Sequence, residues 1–112
     1  MDAAQAEKEQ LPINEQFAMD SAFDKLRALG ATLPFPHQSN VAGAAGLREL
    51  RPRAGRSRWR ALYARVGDAM VVVAIGREAS VDRHGFNRAI RTAETRLAHY
   101  VQEQQRQQEG KP

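Results

Sequence analysis

The sequence predicts an α+β domain in which helices cover a small antiparallel sheet, and three observations carry that expectation. Arg58 to Val66 alternates in the manner of a strand, a Gly67-Asp68 turn follows it, and the unbroken apolar run that ends at Ile75 returns from that turn. Helical spacing flanks this block on both sides, over 14–30 and again over 83–101. With 112 residues the chain has length enough for one core and one domain.

In chain order, residues 1–13 form a polar lead of Ala, Gln, Glu and Lys, expected as a frayed helix or a disordered segment of little structural weight. Either a short strand around Leu11 to Ile13 joins this lead to the sheet, or the apolar strand Met70 to Ile75 has an open edge. Asn14 is placed to cap a helix over 14–30, whose Met19, Ala22, Phe23, Leu26 and Leu29 share one face, and Gly30 suits its end. The prolines of Leu33-Pro34-Phe35-Pro36 and the polar residues after them predict a connecting loop from Ala31 to Gly46. A three-strand meander then occupies 47–76, with strands at about 47–53, 58–66 and 69–76. Pro52 places the far end of the first strand at an edge or a bulge, and the third is apolar enough to need cover on both faces. Asp82 is a candidate cap for the last helix, in which Phe86, Ala89, Ile90, Ala93, Leu97, Tyr100 and Val101 form the packing stripe. The Gln-rich stretch 102–112 lacks any apolar period and is expected to be a flexible tail.

Charge is concentrated. Arg48, Arg51, Arg53, Arg56, Arg58, Arg60 and Arg65 stand against Glu49 alone, a net +6, so that the rest of a chain with +4 overall is at −2. A patch of this kind calls for a polyanionic partner. Arginine, 14 of the 17 basic residues, grips phosphate through two parallel hydrogen bonds where lysine offers a point charge. The absence of cysteine excludes a disulfide framework, a thiol nucleophile and a thiolate metal site, and suits a reducing, cytoplasmic location. No apolar run approaches the roughly 20 residues of a membrane span, and the acidic, polar start has no signal-peptide core. No metal-binding spacing and no phosphate-cradling glycine loop occurs, so neither a metal nor a cofactor is expected.

The residues left to carry function are the arginines with Trp59 and Tyr63 among them. Arginines hold the phosphates of RNA while aromatic rings stack on unpaired bases, which makes Arg51, Arg53, Arg58, Trp59 and Tyr63 the RNA-binding candidates. The same residues also fit a solvated basic strand pair, with Trp59 and Tyr63 in the core. His84 is the titratable side chain near neutral pH in this region and the candidate acid or base.

Gly46-Leu47-Arg48-Glu49-Leu50-Arg51, followed by Arg58-Trp59-Arg60-Ala61-Leu62-Tyr63-Ala64, a hairpin, an apolar strand and an Ala-rich helix, resembles the RelE/HigB-like toxins of type II toxin-antitoxin systems. The resemblance is to their phage-derived branch and spans roughly Met19 to Tyr100. It implies helices packed on one face of a twisted, mainly antiparallel sheet, and a ribosome-dependent mRNA endonuclease with a basic RNA-binding face. By resemblance, Arg51 and Arg53 supply the basic side chains of the first meander strand, and Arg60 and Arg77 join His84 as the catalytic set. Arg83, His84 and Phe86 stand where such toxins carry a tyrosine, and Gly76-Arg77-Glu78-Ala79-Ser80 stands in place of a two-lysine-threonine motif. The implied partners are a helix-turn-helix antitoxin, the ribosome and mRNA. A homodimer through an open edge of the apolar strand is a further expectation. The resemblance also covers a non-catalytic relative that binds RNA or an acidic partner, and a gyrase-inhibiting branch of the same fold.

Overall fold

A computed structural model describes residues 1–44 and 46–110. It contains helices α1 (Asp2–Glu9), α2 (Ile13–Leu29) and α3 (Arg83–Glu109), and strands β1 (Gln38–Asn40), β2 (Arg48–Leu50), β3 (Trp59–Val66) and β4 (Ala69–Arg77). The strands form one open sheet in the order β1-β2-β3-β4, antiparallel throughout. The fold is α+β and compatible with a RelE-like fold.

The hairpin is built as its sequence requires. Gly67 has φ +60° at the first turn position, the left-handed conformation that glycine reaches at least cost, and Ala69 pairs with Val66 immediately after it. Between Leu62 and Tyr63 the register slips by one residue, so that Leu62 faces Ala74 while Tyr63 faces Val72. The slip is a β-bulge at Val73, and it lets both Val73 and Ala74 join the α3 side of the core.

The helices do not share one face of the sheet. Ala61, Tyr63, Leu50 and Ile75 pack with Met19, Ala22 and Leu26 of α2, whereas Leu62, Ala64, Val71, Val73 and Ala74 pack with Phe86, Ala89 and Ala93 of α3. Strands as apolar as β3 and β4 must be covered on both sides, and each long helix covers one. Gly76 permits close contact on the α3 side, because a Cβ there would lie 2.8 Å from the Ala89 methyl.

Several boundaries differ from the sequence expectation, each for a local reason. The first meander strand stops at Leu50 instead of reaching residue 53. Its last cross-strand bond runs from Arg51 N–H to the His37 carbonyl, and Pro52, which has no N–H to give, opens a tight turn to Gly55 in which Arg53 and Ala54 are left-handed. The loop expected over 31–46 contains β1, a polar strand of three residues held by backbone pairing and by the hydrogen bonds of the Gln38 side chain, and so without a hydrophobic signature. Pro12, not Asn14, precedes the first residue of α2, and no side chain caps that helix. Asp82 does cap α3, accepting a hydrogen bond from Gly85 N–H at 2.8 Å. The helix continues through the glutamines to Glu109, in keeping with the helix propensity of Gln, Glu and Arg, and Glu103 and Arg106 pair at 2.8 Å on its surface. Lys111 and Pro112, the end of the expected tail, lie outside the described residues.

The largest departure is at the start of the chain. Residues 2–9 form α1, with Ala4 and Lys8 buried. Its Glu7 carboxylate accepts the Ile75 N–H at 3.1 Å and pairs with Arg96, which also donates to the Val73 carbonyl at 2.9 Å. These contacts satisfy polar groups on the free side of β4, so the apolar edge expected to stand open is covered by the segment expected to do little.

Candidate nucleic-acid interface

The seven arginines of the basic stretch divide according to what the fold brings to them. Arg60 is 2% exposed. Its Nη1 donates to the Ser57 and Trp59 carbonyls at 2.6 and 2.9 Å, and its Nη2 to the Gly55 carbonyl at 3.3 Å and the Glu78 carboxylate at 2.5 Å. The Glu49 carboxylate lies 3.6 Å from Nε. Burial lowers the pKa of this guanidinium, and Glu78 opposes that effect. Arg60 therefore fastens the turn before β3 to the segment after β4 and presents no free donor to solvent.

Two neighbours are also held. Arg53, at φ +55° in the turn after β2, pairs with Glu15 at 2.6 Å and donates to the Asn14 carbonyl at 3.2 Å. Glu15 accepts in addition from the buried Ser57 hydroxyl at 2.7 Å. Burial works to raise the Glu15 pKa, but the bonds from Ser57 and Arg53 outweigh it and hold the carboxyl below its ordinary value. Arg51 lies 3.7 Å from Glu49 and stands over the Phe35 ring at 5.4 Å. Tyr63 is buried on the α2 side of the sheet, where burial raises the pKa of its phenol, and cannot act as a stacking platform.

The others remain available. Among the described residues no carboxylate lies within 4.0 Å of the guanidinium of Arg48, Arg56, Arg58, Arg77, Arg83, Arg88 or Arg91. Most of these sit at one end of the sheet. Trp59 pairs with Arg77 across the β3-β4 ladder, and the Arg77 guanidinium stands 5.2 Å from the centre of the Trp59 ring. Arg58 precedes Trp59, and its carbonyl accepts from Glu78 N–H at 2.8 Å. The first turns of α3, which leave this same end, add Arg83, the exposed His84 and Arg88.

A groove of about 400 Å³ runs along the outer edge of β4 between α1 and the start of α3. Trp59, Arg77, Arg88 and Thr92 line it, with Glu7 and Asp82 on its walls. Both carboxylates are engaged, Glu7 by Arg96 and Ile75 N–H and Asp82 by Gly85 N–H. Two unpaired guanidiniums beside a half-buried indole suit a phosphodiester with an adjoining base. Of the residues expected from the sequence, the fold brings Arg77 and Trp59 into this groove and Arg58 and His84 to the same end of the molecule. Arg51 and Arg53 lie elsewhere, and Arg60 and Tyr63 are inside. Arg88 had no signal beyond its polar position on a helix, and Glu7, Glu15 and Glu78 offered none, because their partners are far away in sequence or on another strand.

A family model described as phage-derived protein Gp49-like (DUF891) matches residues 6–98. The chain belongs to this Gp49-like family. The match runs from α1 into the second half of α3 and so includes the whole arginine stretch and both walls of the groove. Gp49-like proteins are a RelE-superfamily-like toxin family. No curated protein and no solved structure matches the chain significantly. Among the described residues no helix is long and apolar enough to cross a membrane, and no group of three or more acidic or histidine side chains is arranged to hold a metal ion.

Proposed function

We propose that this Gp49-like protein is the toxin of a type II toxin-antitoxin system and acts as a ribosome-dependent mRNA endonuclease, with a helix-turn-helix antitoxin as its partner. The observation that carries the reading is the groove in which unpaired Arg77 and Arg88 flank Trp59. Cleavage of this type is attack of a ribose 2′-hydroxyl on the adjacent phosphorus. The new O–P bond forms as the bond to the 5′-oxygen breaks, leaving a 2′,3′-cyclic phosphate and a free 5′-hydroxyl. Negative charge accumulates on the phosphoryl oxygens in the transition state, where fixed cations stabilise it most. Arg77 and Arg88 are placed for that role and Trp59 for holding a neighbouring base. With Arg60 enclosed, its part becomes that of a positioning residue for the β3-β4 end. His84, exposed in the first turn of α3, is the side chain in this region with a ring nitrogen able to take and return a proton.

The test is inducible expression of the wild type and an Arg77→Gln/Arg88→Gln double variant, with growth followed and mRNA 5′ ends mapped. Growth arrest with new ends inside translated codons, lost in the double variant and relieved by the antitoxin, is the expected result. Normal growth of the wild type would overturn the reading.

One observation favours a second reading, a relative that binds RNA without cutting it. Both carboxylates of the groove are already committed to other donors, so His84 alone remains to move a proton. That reading expects steep salt dependence of RNA binding with intact RNA throughout.

A further inference from the structure

A small pocket of about 190 Å³ lies on the α2 side of the sheet, near its hairpin end. Ala31 closes it just after α2, and every strand contributes to it: Gln38 from β1, Arg48 from β2, Tyr63 and Arg65 from β3, and Met70 from β4. Register puts the polar groups together. Arg48 stands opposite Tyr63 across the β2-β3 ladder, and Arg65 lies two residues beyond Tyr63, on the same face of its strand. Trp59 and Arg65 are six residues apart on β3, about 20 Å at roughly 3.3 Å per residue, so this pocket is separate from the arginine groove.

No carboxylate lines the space, and its donors are only partly used. Arg48 is oriented by Gln38, whose carbonyl oxygen accepts from Nη1 at 3.1 Å while the amide donates to the Leu33 carbonyl at 3.1 Å. Among the described residues no carboxylate lies within 4.0 Å of its guanidinium. Arg65 donates from Nε to the Gly67 carbonyl at 3.0 Å, and the fully exposed Asp68 carboxylate is 3.9 Å from its Nη2. Tyr63 is 2% exposed, yet its hydroxyl bonds to no group among the described residues. That hydroxyl is not sealed from water, so the pocket is where it meets a partner. Burial raises the pKa of the phenol and the nearby Arg48 charge works against the rise; the phenol keeps its proton at neutral pH and is a donor.

From this arrangement we infer that the pocket binds a dianionic phosphoryl group, as free phosphate or as a phosphate monoester, with the Arg48 and Arg65 guanidiniums and the Tyr63 hydroxyl as its donors. Guanidinium forks match the spacing of phosphate oxygens, and two cations balance two negative charges. The size selects a small group. Pockets for drug-sized ligands begin at roughly 300 Å³, and this one is smaller. The phosphodiester of an RNA backbone fits less well, since it has a single charge and two ester branches to accommodate. The inference stands whether or not the arginine groove at the other end of β3 cuts RNA.

Titrations of the full, nitrogen-15-labelled chain followed by NMR test it, at constant ionic strength so that screening does not change. The probes are inorganic phosphate, glycerol 3-phosphate and dimethyl phosphate. The first two are expected to shift the Arg48 and Arg65 Nε–H signals and the Tyr63 and Met70 amide signals saturably, with a Kd of about 1 mM or below. The tighter of the two identifies the source of the phosphoryl group. Arg48→Gln and Tyr63→Phe should each weaken binding about tenfold, the size of one hydrogen bond to a charged group. Tyr63→Phe is the critical variant, because a loose counterion cloud around two exposed arginines does not sense the phenol. It removes an unpartnered hydroxyl and keeps the ring, and the dispersion of the spectra verifies that both variants fold. No saturation by about 10 mM, dimethyl phosphate binding as tightly as the dianions, or affinity unchanged in Tyr63→Phe overturns the inference. The Arg77→Gln/Arg88→Gln variant should bind phosphate as the wild type does; loss of binding there would place the ion in the other groove and overturn it as well.

Discussion

Arg60 and Arg77 occupy adjacent rungs of the same ladder, Arg60 opposite Gly76 and Arg77 opposite Trp59, yet they do different work. Arg60 lies within reach of Glu78 and Glu49 and donates to three backbone carbonyls, so its charge is consumed in holding the chain together. Arg77, one residue along and on the other side of the pleat, meets an indole and no carboxylate. The contrast extends to the whole stretch. Glu15, Glu49 and Glu78 pair with Arg53, Arg51 and Arg60, while Arg58 and Arg77 at one end of the β3-β4 ladder and Arg83, Arg88 and Arg91 on α3 meet no carboxylate within 4.0 Å among the described residues. Density of arginine in a sequence is therefore a poor guide to an anion-binding surface. What decides is which acids the fold delivers.

Removing the buried cation gives the largest expected effect. Arg60→Ala strands Glu78 and Glu49 and three carbonyls, and should cost about 3–5 kcal/mol in urea unfolding. A loss below about 1 kcal/mol, the size of a surface pair, would break the contrast. Next comes the glycine on the same rung: Gly76→Val drives a branched side chain into Ala89 and should cost about 2 kcal/mol while narrowing the arginine groove, visible as weaker RNA binding.

Glu15→Gln should cost about 1 kcal/mol at neutral pH by weakening the bonds from Ser57 and Arg53. The sign of its pH dependence follows from the lowered pKa. The folded value lies below the ordinary 4.5, so the contribution is complete above 4.5 and disappears as the pH falls through the folded value. Acid denaturation of the variant should lack that component. The smallest stability change is expected for Arg77→Gln, within about 0.5 kcal/mol of wild type. Its signature is a salt dependence of single-stranded RNA binding whose log-log slope falls by about 0.7, the loss of one phosphate contact. The Arg53→Gln variant, whose charge Glu15 already neutralises, should leave that slope unchanged.

Much of the fold was legible because the signals were local. The Gly67-Asp68 hairpin, the apolar β4, the Asp82 cap and the stripe of α3 each follow from residues within a few positions of one another. The structure of α1 was not legible, since its short polar sequence is organised by Ile75 and Arg96, 68 and 89 residues away. The three residues of β1 escaped for a related reason: backbone pairing leaves no mark on side-chain pattern. In the candidate site, Trp59 could be named in advance because it stands among arginines in a readable strand, and Arg77 because the family resemblance points to the arginine just past the apolar strand. Arg60 could be named but not placed, because alternation locates a residue on a face without saying what covers it.

The sequence by itself determined that the chain forms an α+β domain, where its hairpin turns and that its positive charge is concentrated, because turn chemistry, periodicity and composition act over short range. Only the tertiary structure decided which arginines keep their charge free. Ion pairing depends on separations of a few ångströms between residues that lie up to 89 positions apart, and these are settled when α1, α2 and α3 close on the sheet.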